Sequence, residues 1–177
     1  DIFPVGECRP EDYFRNGKVV IGMSTHLFVT GMYKNHVKRS NQLARKALGK
    51  CPTPFFRRPQ HSCIPMLKSE CERIFQEQQT EIENSISRVR SNDNYNMSLY
   101  MSYLYYQGKV VNRRISCKHV SMATVTPSSI GSYVLAPSGG FVCINDVNMT
   151  EEKYMEFRKA LLDAFEEKFP HKSRFEK

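Results

Sequence analysis

The sequence has no carboxylate side chain in two long stretches, and this absence limits the chemistry that it can support. No Asp or Glu occurs between Tyr13 and Ser69 or between Asn94 and Asn145. Metal sites built from clustered acids, and glycosidase chemistry with paired carboxylates, are therefore confined to the remaining segments. Glycine-rich phosphate loops, G-x-S-x-G and H-E-x-x-H are also missing. Motifs alone therefore predict no catalytic residue, no metal ligand and no cofactor.

Tryptophan is also absent, and the charge of the chain is unbalanced toward the basic side. The residues available for aromatic packing are therefore 9 Tyr and 11 Phe, and the formal net charge at pH 7 is +8. Such a charge favours acidic partners, namely nucleic acid, glycosaminoglycan or an anionic membrane. A chain of 177 residues is long enough to bury a core. We expect one globular domain over residues 1–177, with an irregular arm at 1–17 and a frayed basic tail at 170–177.

No C-x-x-C pair occurs, which argues against a zinc site. The six cysteines are an even number, which allows three disulfides. N-glycosylation sequons begin at Asn96 and Asn148, and no segment has the length and apolarity of a membrane span. Together these features predict a secreted, disulfide-bonded glycoprotein, and the alternative is a cytoplasmic or nuclear protein with reduced thiols. The disulfide candidates, whose pairing the sequence leaves open, are Cys8, Cys51, Cys63, Cys71, Cys117 and Cys143.

Hydrophobic periodicity predicts three long helices. Apolar residues at helical spacing indicate an amphipathic helix over Pro65–Val89, and its opposite face is rich in Glu. A second helix is predicted over residues 25–48, where Gly49 suits the left-handed conformation that ends helices. A third follows the capping residue Thr150 and ends before Pro170.

Alternating segments separated by turn signals predict strands in the rest of the chain. A short strand is predicted at Lys18–Met23, and four more are predicted at Met97–Gln107, Lys109–Val125, Ser132–Ala136 and Phe141–Asn145. The last four are predicted to form an antiparallel meander. The predicted fold class is α+β, with a sheet of about four strands in the C-terminal half and two N-terminal helices and one C-terminal helix covering one face.

The polar face of the predicted helix 25–48 is entirely basic. Because it carries no acid for pairs at four-residue spacing, its cations repel one another unless they are neutralised. An acidic ligand or the glutamates of helix 65–89 could neutralise them. The loop Cys51–Ile64 adds an arginine pair, and arginine forks bind phosphate or sulfate bidentately. The candidate binding residues in this region are Lys34, Lys38, Arg39, Arg45, Lys46, Arg57 and Arg58.

Arg113 and Arg114 extend the candidate basic surface to the predicted sheet. In the simplest hairpin register Arg113 faces Ser102 and Arg114 faces Met101, with three tyrosines as near neighbours. Aromatic and basic side chains interleaved on a sheet can stack bases and bind phosphates. The alternative is that the Tyr-rich strand packs one face into the core.

Histidines offer a route to phosphodiester cleavage without a metal. One histidine acts as base, another as acid, and a lysine holds the phosphate. His36-Val37-Lys38 and Lys118-His119 would supply these groups.

The segment His119-Val120-Ser121, followed by Gly140–Asn148, is similar to the end of the acid-nuclease family deoxyribonuclease II. In that family a His-x-Lys element precedes a Cys-Ile-Gly-Asp-x-Asn-like stretch. The resemblance covers about 30 of 177 residues and implies phosphodiester cleavage through His119. Ser121 stands where the family has lysine, and the family's glycine-rich segment after the motif is missing. These departures imply weak or absent activity.

Three function classes follow from these observations. The leading hypothesis is a secreted, disulfide-stabilised binding protein that recognises an extracellular protein or receptor, with a cationic surface suited to acidic ligands or sulfated glycans. The alternative is an intracellular nucleic-acid-binding domain that uses the same cations. The third is a metal-independent phosphodiesterase or nuclease that uses histidines.

Overall fold

The computed structural model describes residues 2–171, and the chain divides into two compact units. We call Arg9–Ile115 the central unit. The terminal unit combines Asp1–Cys8 with Ser116–Lys177, so it is made from both sides of the central unit in sequence. One domain over residues 1–177 stays a prediction. Residues 172–177 of the predicted basic tail lie outside the described residues.

Helices and short strands are mixed along the described chain, which confirms the α+β class. The strands are β1 (Ile2–Pro4), β2 (Phe14–Arg15), β3 (Lys18–Val20), β4 (Met23–His26), β5 (Phe56–Pro59), β6 (Val110–Val111), β7 (Cys117–Ser121) and β8 (Phe141–Asn145). The helices are α1 (Pro10–Tyr13), α2 (Gly31–Ala47), α3 (Lys68–Glu77), α4 (Gln79–Asn84), α5 (Ser98–Tyr106), α6 (Pro127–Ile130), α7 (Ser132–Leu135) and α8 (Glu151–Lys168). Within residues 2–171, no helix combines the length and apolarity needed to cross a bilayer.

The terminal unit is a three-stranded sheet covered by helices on one face. Its strand order is β1-β8-β7, with β1 antiparallel and β7 parallel to β8. Val120, Val142 and Ile144 point from the sheet into a core that includes Phe157 and Ala164 of α8. Helix α8 begins as predicted, because the Thr150 hydroxyl accepts a hydrogen bond from the Lys153 N–H at 3.4 Å.

A parallel strand pair needs a crossover connection, and in the terminal unit helices α6 and α7 provide it. Helix α6 has Pro127 in its first turn, preceded by the capping residue Thr126. The strand predicted at Ser132–Ala136 is wrong, because these residues form α7 and bury Val134. The strand predicted at Phe141–Asn145 is confirmed as β8.

The central unit contains two small sheets and a group of packed helices. In one sheet β3 pairs antiparallel to β2 and parallel to β6, and in the other β4 pairs antiparallel to β5. Helices α2, α3 and α5 bury a shared cluster, which contains Leu43, Ala44, Ile74, Leu99 and Tyr103.

The predicted four-stranded meander is wrong. Met97–Gln107 is occupied by helix α5, and Lys109–Val125 contains only the short strands β6 and β7. Helix α5 is buried on nearly every side, so its sequence shows no one-sided apolar stripe. Asn96 starts the helix, because its carboxamide oxygen accepts the Ser98 N–H at 3.0 Å. The predicted cover of one sheet by three helices is therefore also wrong, since α2 and α3 belong to the central unit.

The two predicted N-terminal helices exist in shorter forms. Helix 25–48 begins only at Gly31, because residues 23–26 pair with β5 as strand β4. It ends as predicted, with Gly49 at φ +62°. The predicted helix Pro65–Val89 is divided at Gln78 into α3 and α4. Residues beyond Asn84 leave the helix, so Ile86 and Val89 are exposed instead of buried.

The arm predicted as irregular at 1–17 contains ordered elements. Ile2–Pro4 pairs with β8, Pro10–Tyr13 is helical, and Phe14–Arg15 pairs with β3. The arm therefore takes part in both units.

Candidate functional site

The nine candidate basic residues lie in the central unit and fall into two groups with different surroundings. Lys34, Lys38, Arg39, Arg45 and Lys46 are on α2, Arg57 and Arg58 are on β5, and Arg113 and Arg114 follow β6. Some of these cations are held by contacts within the unit, whereas others form no ion pair with an acid among the described residues 2–171.

Contacts within the central unit hold Arg39 and Lys46. Arg39 forms an ion pair with Asp93 at 3.5 Å and lies over the Tyr95 ring at 5.4 Å. Lys46 pairs with Glu81 of α4 at 3.0 Å. The glutamate-rich segment therefore neutralises part of the basic helix, which was one of the two explanations that the sequence left open.

Arg45 and Arg57 are held by backbone, hydroxyl and aromatic groups. Arg45 donates to the Cys51 carbonyl at 2.9 Å and lies over the Tyr106 ring at 4.9 Å. Arg57 donates to the Thr25 hydroxyl and lies over the Tyr105 ring at 4.8 Å. These side chains are structural parts of the unit.

Arg58 lies opposite Ser24 in the β4–β5 ladder, two residues from His26 on the same strand face, and the charges of Arg58 and Lys34 both act on His26. Neither cation forms an ion pair with any residue in the range 2–171. Burial lowers the pKa of His26 below its usual value, and the charges of Arg58 and Lys34 lower it further. The His26 ring stacks on Phe56, with 5.7 Å between centroids. This arrangement defines what we call the basic face, formed by His26, Lys34 and Arg58.

Asn41 holds the strand that carries Arg58. The Asn41 side chain is 1% exposed. Its amide nitrogen donates to the carbonyls of Val37 at 3.0 Å and Arg57 at 2.7 Å. Its oxygen accepts from the Arg57 N–H at 2.7 Å and the Tyr106 hydroxyl at 3.0 Å. A single buried amide therefore fixes β5 against α2 and α5.

Arg113 and Arg114 do not face tyrosines on a sheet, so the predicted base-stacking arrangement is wrong. Tyr100, Tyr103 and Tyr106 are on helix α5, and Tyr103 is 1% exposed with its hydroxyl donating to Glu77 at 2.9 Å. Arg113 and Arg114 lie in an exposed irregular segment beside the start of β4. The Asn112 carboxamide binds the Met23 backbone there, with the Met23 N–H donating at 2.7 Å.

The acidic helix α3 is also engaged within the central unit. Glu70 accepts from Lys109 at 2.5 Å and from Arg73 at 2.7 Å, and its side chain is 13% exposed. Burial raises the pKa of Glu70, but bonding to Lys109 and Gln107 and the charges of Arg73 and Lys109 outweigh it, so the pKa lies below the usual range. These contacts fasten α3 to α5 and the segment before β6.

The six cysteines are free thiols in this structure, and all six lie in the described part of the chain. Cys8 and Cys51 are exposed, Cys63, Cys71 and Cys117 are half-buried, and Cys143 is buried in β8. Of the two sequons, Asn148 is exposed, whereas Asn96 is half-buried and its side chain begins α5.

The two candidate histidines have different surroundings. His36 is 4% exposed, and its Nε2 lies 2.5 Å from the Ser91 carbonyl, so it serves the packing of α2. His119 is exposed on β7. In the parallel register His119 lies beside Cys143 and Ser121 beside Asn145. The two segments that resemble deoxyribonuclease II are therefore adjacent strands, and these side chains share the sheet face opposite the helices.

Comparison of the chain with models of known protein families and with curated proteins returns no match. His26 and Asn41 are the residues that sequence patterns did not single out. The stretch that carries His26 did give a signal, since Leu27-Phe28-Val29 stands between a histidine and a lysine in a segment without acids.

Proposed function

We propose that the protein is a secreted binding protein, and that the basic face of the central unit recognises an acidic group on an extracellular partner. The observation that carries the proposal is the position of Lys34 and Arg58 near His26 with no ion pair to a described acid. Like charges held together without a counter-charge destabilise the fold. An anionic ligand would relieve this repulsion.

The surrounding contacts support a site with a fixed shape. Asn41 and the β4–β5 ladder hold the backbone of Arg58, and Lys34 extends from the first turns of α2. Because the backbone under both cations is fixed, binding orders only their side chains, which limits the conformational entropy that is lost. Arg39 and Lys46 contribute less, because Asp93 and Glu81 already neutralise them.

The double substitution Lys34→Gln/Arg58→Gln is expected to weaken binding of a sulfated heparin oligosaccharide about tenfold or more. Two unpaired cations are lost from the binding surface, and the dependence of affinity on salt becomes shallower. Isothermal titration calorimetry over a series of NaCl concentrations measures both effects. NMR titration adds a local readout, since a bound anion favours the charged imidazole and so raises the pKa of His26.

A matched control removes the same charge from cations that are already paired. Lys46→Gln/Lys68→Gln replaces partners of Glu81 and Glu72 and is expected to change heparin affinity only slightly. Equal losses in the two double variants would show that net charge alone attracts the ligand. That result would contradict a defined basic face.

A second candidate function is phosphodiester hydrolysis at the sheet face of the terminal unit that lies opposite its helices. It is favoured by the parallel pairing of β7 with β8, which places His119 beside Cys143 and Ser121 beside Asn145. His119 would act as the proton-transferring group. Because Ser121 stands in place of a lysine, this position of the strand supplies no cation to hold the phosphate.

His119→Ala is expected to lower any cleavage of plasmid DNA in chelator-containing buffer by about a hundredfold or more, since positioned proton transfer contributes this much. Ser121→Lys is expected to raise the rate by adding a phosphate-binding charge. The control is His171→Ala, an exposed histidine after α8. Unchanged cleavage in the folded His119→Ala variant would reject this function.

A further inference from the structure

Large apolar side chains are exposed around the start of helix α2. Phe28 is 77% exposed, the largest value among the large apolar side chains of the described residues. Its neighbours Leu27 and Val29 are each 38% exposed. Soluble surfaces tolerate single exposed apolar residues, but a contiguous apolar group points to an interaction site.

Strand register brings a further aromatic residue to the same place. His26 opposite Phe56 is the last pair of the β4–β5 ladder, so Leu27 and Phe55 leave the sheet at the same end. Gly31 then turns the chain into α2 at φ +82°, a conformation that favours glycine. Met32 follows in the first turn of α2 and is exposed as well. We call these five residues, Leu27, Phe28, Val29, Met32 and Phe55, the apolar tip.

The basic face borders the apolar tip. His26 directly precedes Leu27, and Lys34 follows Met32 by two residues on the same helix. Arg58 pairs with Ser24 in the β4–β5 ladder, two residues from His26 on the same strand face. No acid occurs in the chain from Tyr13 to Ser69, so the segments that form the tip and its border contribute no carboxylate.

This combination fits a lipid surface better than other acidic partners. A sulfated glycan would neutralise Lys34 and Arg58 but would leave Phe28 in water. A second copy of this chain would cover Phe28 but would bring two basic faces together. An anionic bilayer accepts apolar side chains below its headgroups and holds the cations at its negatively charged surface.

We propose that the apolar tip inserts into the interfacial layer of an anionic lipid bilayer while Lys34 and Arg58 contact its headgroups. The inference rests on the proposed function, because it assigns the acidic group recognised by the basic face to lipid headgroups. Binding is peripheral and reversible, since only a few side chains enter the bilayer. High salt weakens it by screening the cations.

The absence of tryptophan makes a direct test possible. Phe28→Trp introduces a single tryptophan at the centre of the tip, and its emission can be excited selectively above the absorption of tyrosine. Vesicles of phosphatidylcholine with phosphatidylserine are expected to shift its emission to shorter wavelength, whereas vesicles of phosphatidylcholine alone leave it unchanged. Tyr154→Trp, an exposed position beside the glutamates of α8, is the control and is expected to show no shift.

Two double variants then separate the apolar from the basic contribution. Leu27→Ser/Phe28→Ser is expected to lower the partition onto anionic vesicles about tenfold or more, because exposed apolar area no longer leaves water, while heparin binding stays unchanged. Lys34→Gln/Arg58→Gln is expected to lower both the partition onto anionic vesicles and the heparin affinity. Each cation is expected to contribute about fivefold to the vesicle partition. Circular dichroism checks that both variants fold.

The outcomes distinguish this inference from the proposed function. The lipid inference is overturned if the protein binds vesicles that contain phosphatidylserine no more tightly than vesicles of phosphatidylcholine alone. It is also overturned if the Leu27→Ser/Phe28→Ser variant binds the anionic vesicles as tightly as the parent protein does. If heparin binding weakens in the Lys34→Gln/Arg58→Gln variant, the proposed function remains supported whatever the vesicle result. If heparin binding does not depend on Lys34 and Arg58, the proposed function and the lipid inference are both contradicted. A blue shift of Phe28→Trp that rises with protein concentration without vesicles would identify a second copy as the occupant and overturn the lipid inference.

Discussion

Replacing Asn41 with leucine is expected to lower the free energy of unfolding of the central unit by about 3 kcal/mol or more. Leucine has the same number of side-chain heavy atoms with the same branching, but it leaves the N–H and carbonyl of Arg57 and the hydroxyl of Tyr106 without their partner. A buried polar group without a partner costs about 1 to 3 kcal/mol. Chemical denaturation of the full chain measures the loss.

Two further variants show whether the buried amide itself is responsible. Gln42→Leu changes the next residue on α2, which is exposed, and is expected to alter stability by less than about 0.5 kcal/mol. Asn41→Asp keeps the acceptor but turns the two donated bonds into repulsion with the carbonyls of Val37 and Arg57. Asn41→Asp is therefore also expected to lower the free energy of unfolding of the central unit. A leucine variant as stable as the parent would show that the network contributes nothing net.

Replacing Phe157 with alanine is expected to destabilise the terminal unit by about 3 to 5 kcal/mol. Phe157 is 0% exposed and is part of the core between α8 and the sheet. The substitution removes the aromatic ring and leaves a cavity that the neighbouring side chains fill only in part. Hydrogen exchange resolved on peptides measures the change, and the amides of β7 and β8 should exchange much faster.

The comparison for this variant lies on the same helix. Leu162→Ala removes a side chain that is 43% exposed and is expected to cost about 1 kcal/mol or less, since most of its surface is already in water. Exchange in the central unit provides a second reference, because that unit has its own buried clusters. If Phe157→Ala left the exchange of β7 and β8 unchanged, the assigned core would be wrong.

Sequence patterns predicted the elements whose signals are local. Helix α8 follows from the Thr150 cap and the apolar residues after it, and the end of α2 follows from Gly49. Strand β8 also lies where the pattern placed it. In each case the residues that decide the structure are neighbours in the chain, so a single sequence is sufficient.

Helix α5 shows why other elements were not predicted. Its aromatic and aliphatic residues favour strands on average, but strand preference depends mainly on packing context. Here α2 and α3 surround the segment, and burial on several sides removes the period that would identify a helix. The helical conformation of α5 therefore depends on contacts with residues about 30 and 60 positions away in the chain, and a local sequence pattern does not include these residues.

The candidate site was predicted only in part, for the same reason. Sequence placed Lys34 and Lys46 on one basic helix, but only the fold shows that Glu81 pairs with Lys46 and that Lys34 stands near Arg58 and His26. Asn41 gave no signal, because an asparagine inside a helix is usually solvated. Its four hydrogen bonds depend on where β5 and α5 pack.

The origin of the terminal unit from two separated pieces of chain affects how the protein is made. Strand β1 pairs with β8 through Phe3 opposite Val142, so the whole central unit is synthesised between the two partners. At about 5 to 20 residues per second, roughly ten seconds pass before the second partner exists. During that time Ile2 and Phe3 have no native strand to pair with. The central unit can fold during synthesis, whereas completion of the terminal sheet must wait for residues 141–145.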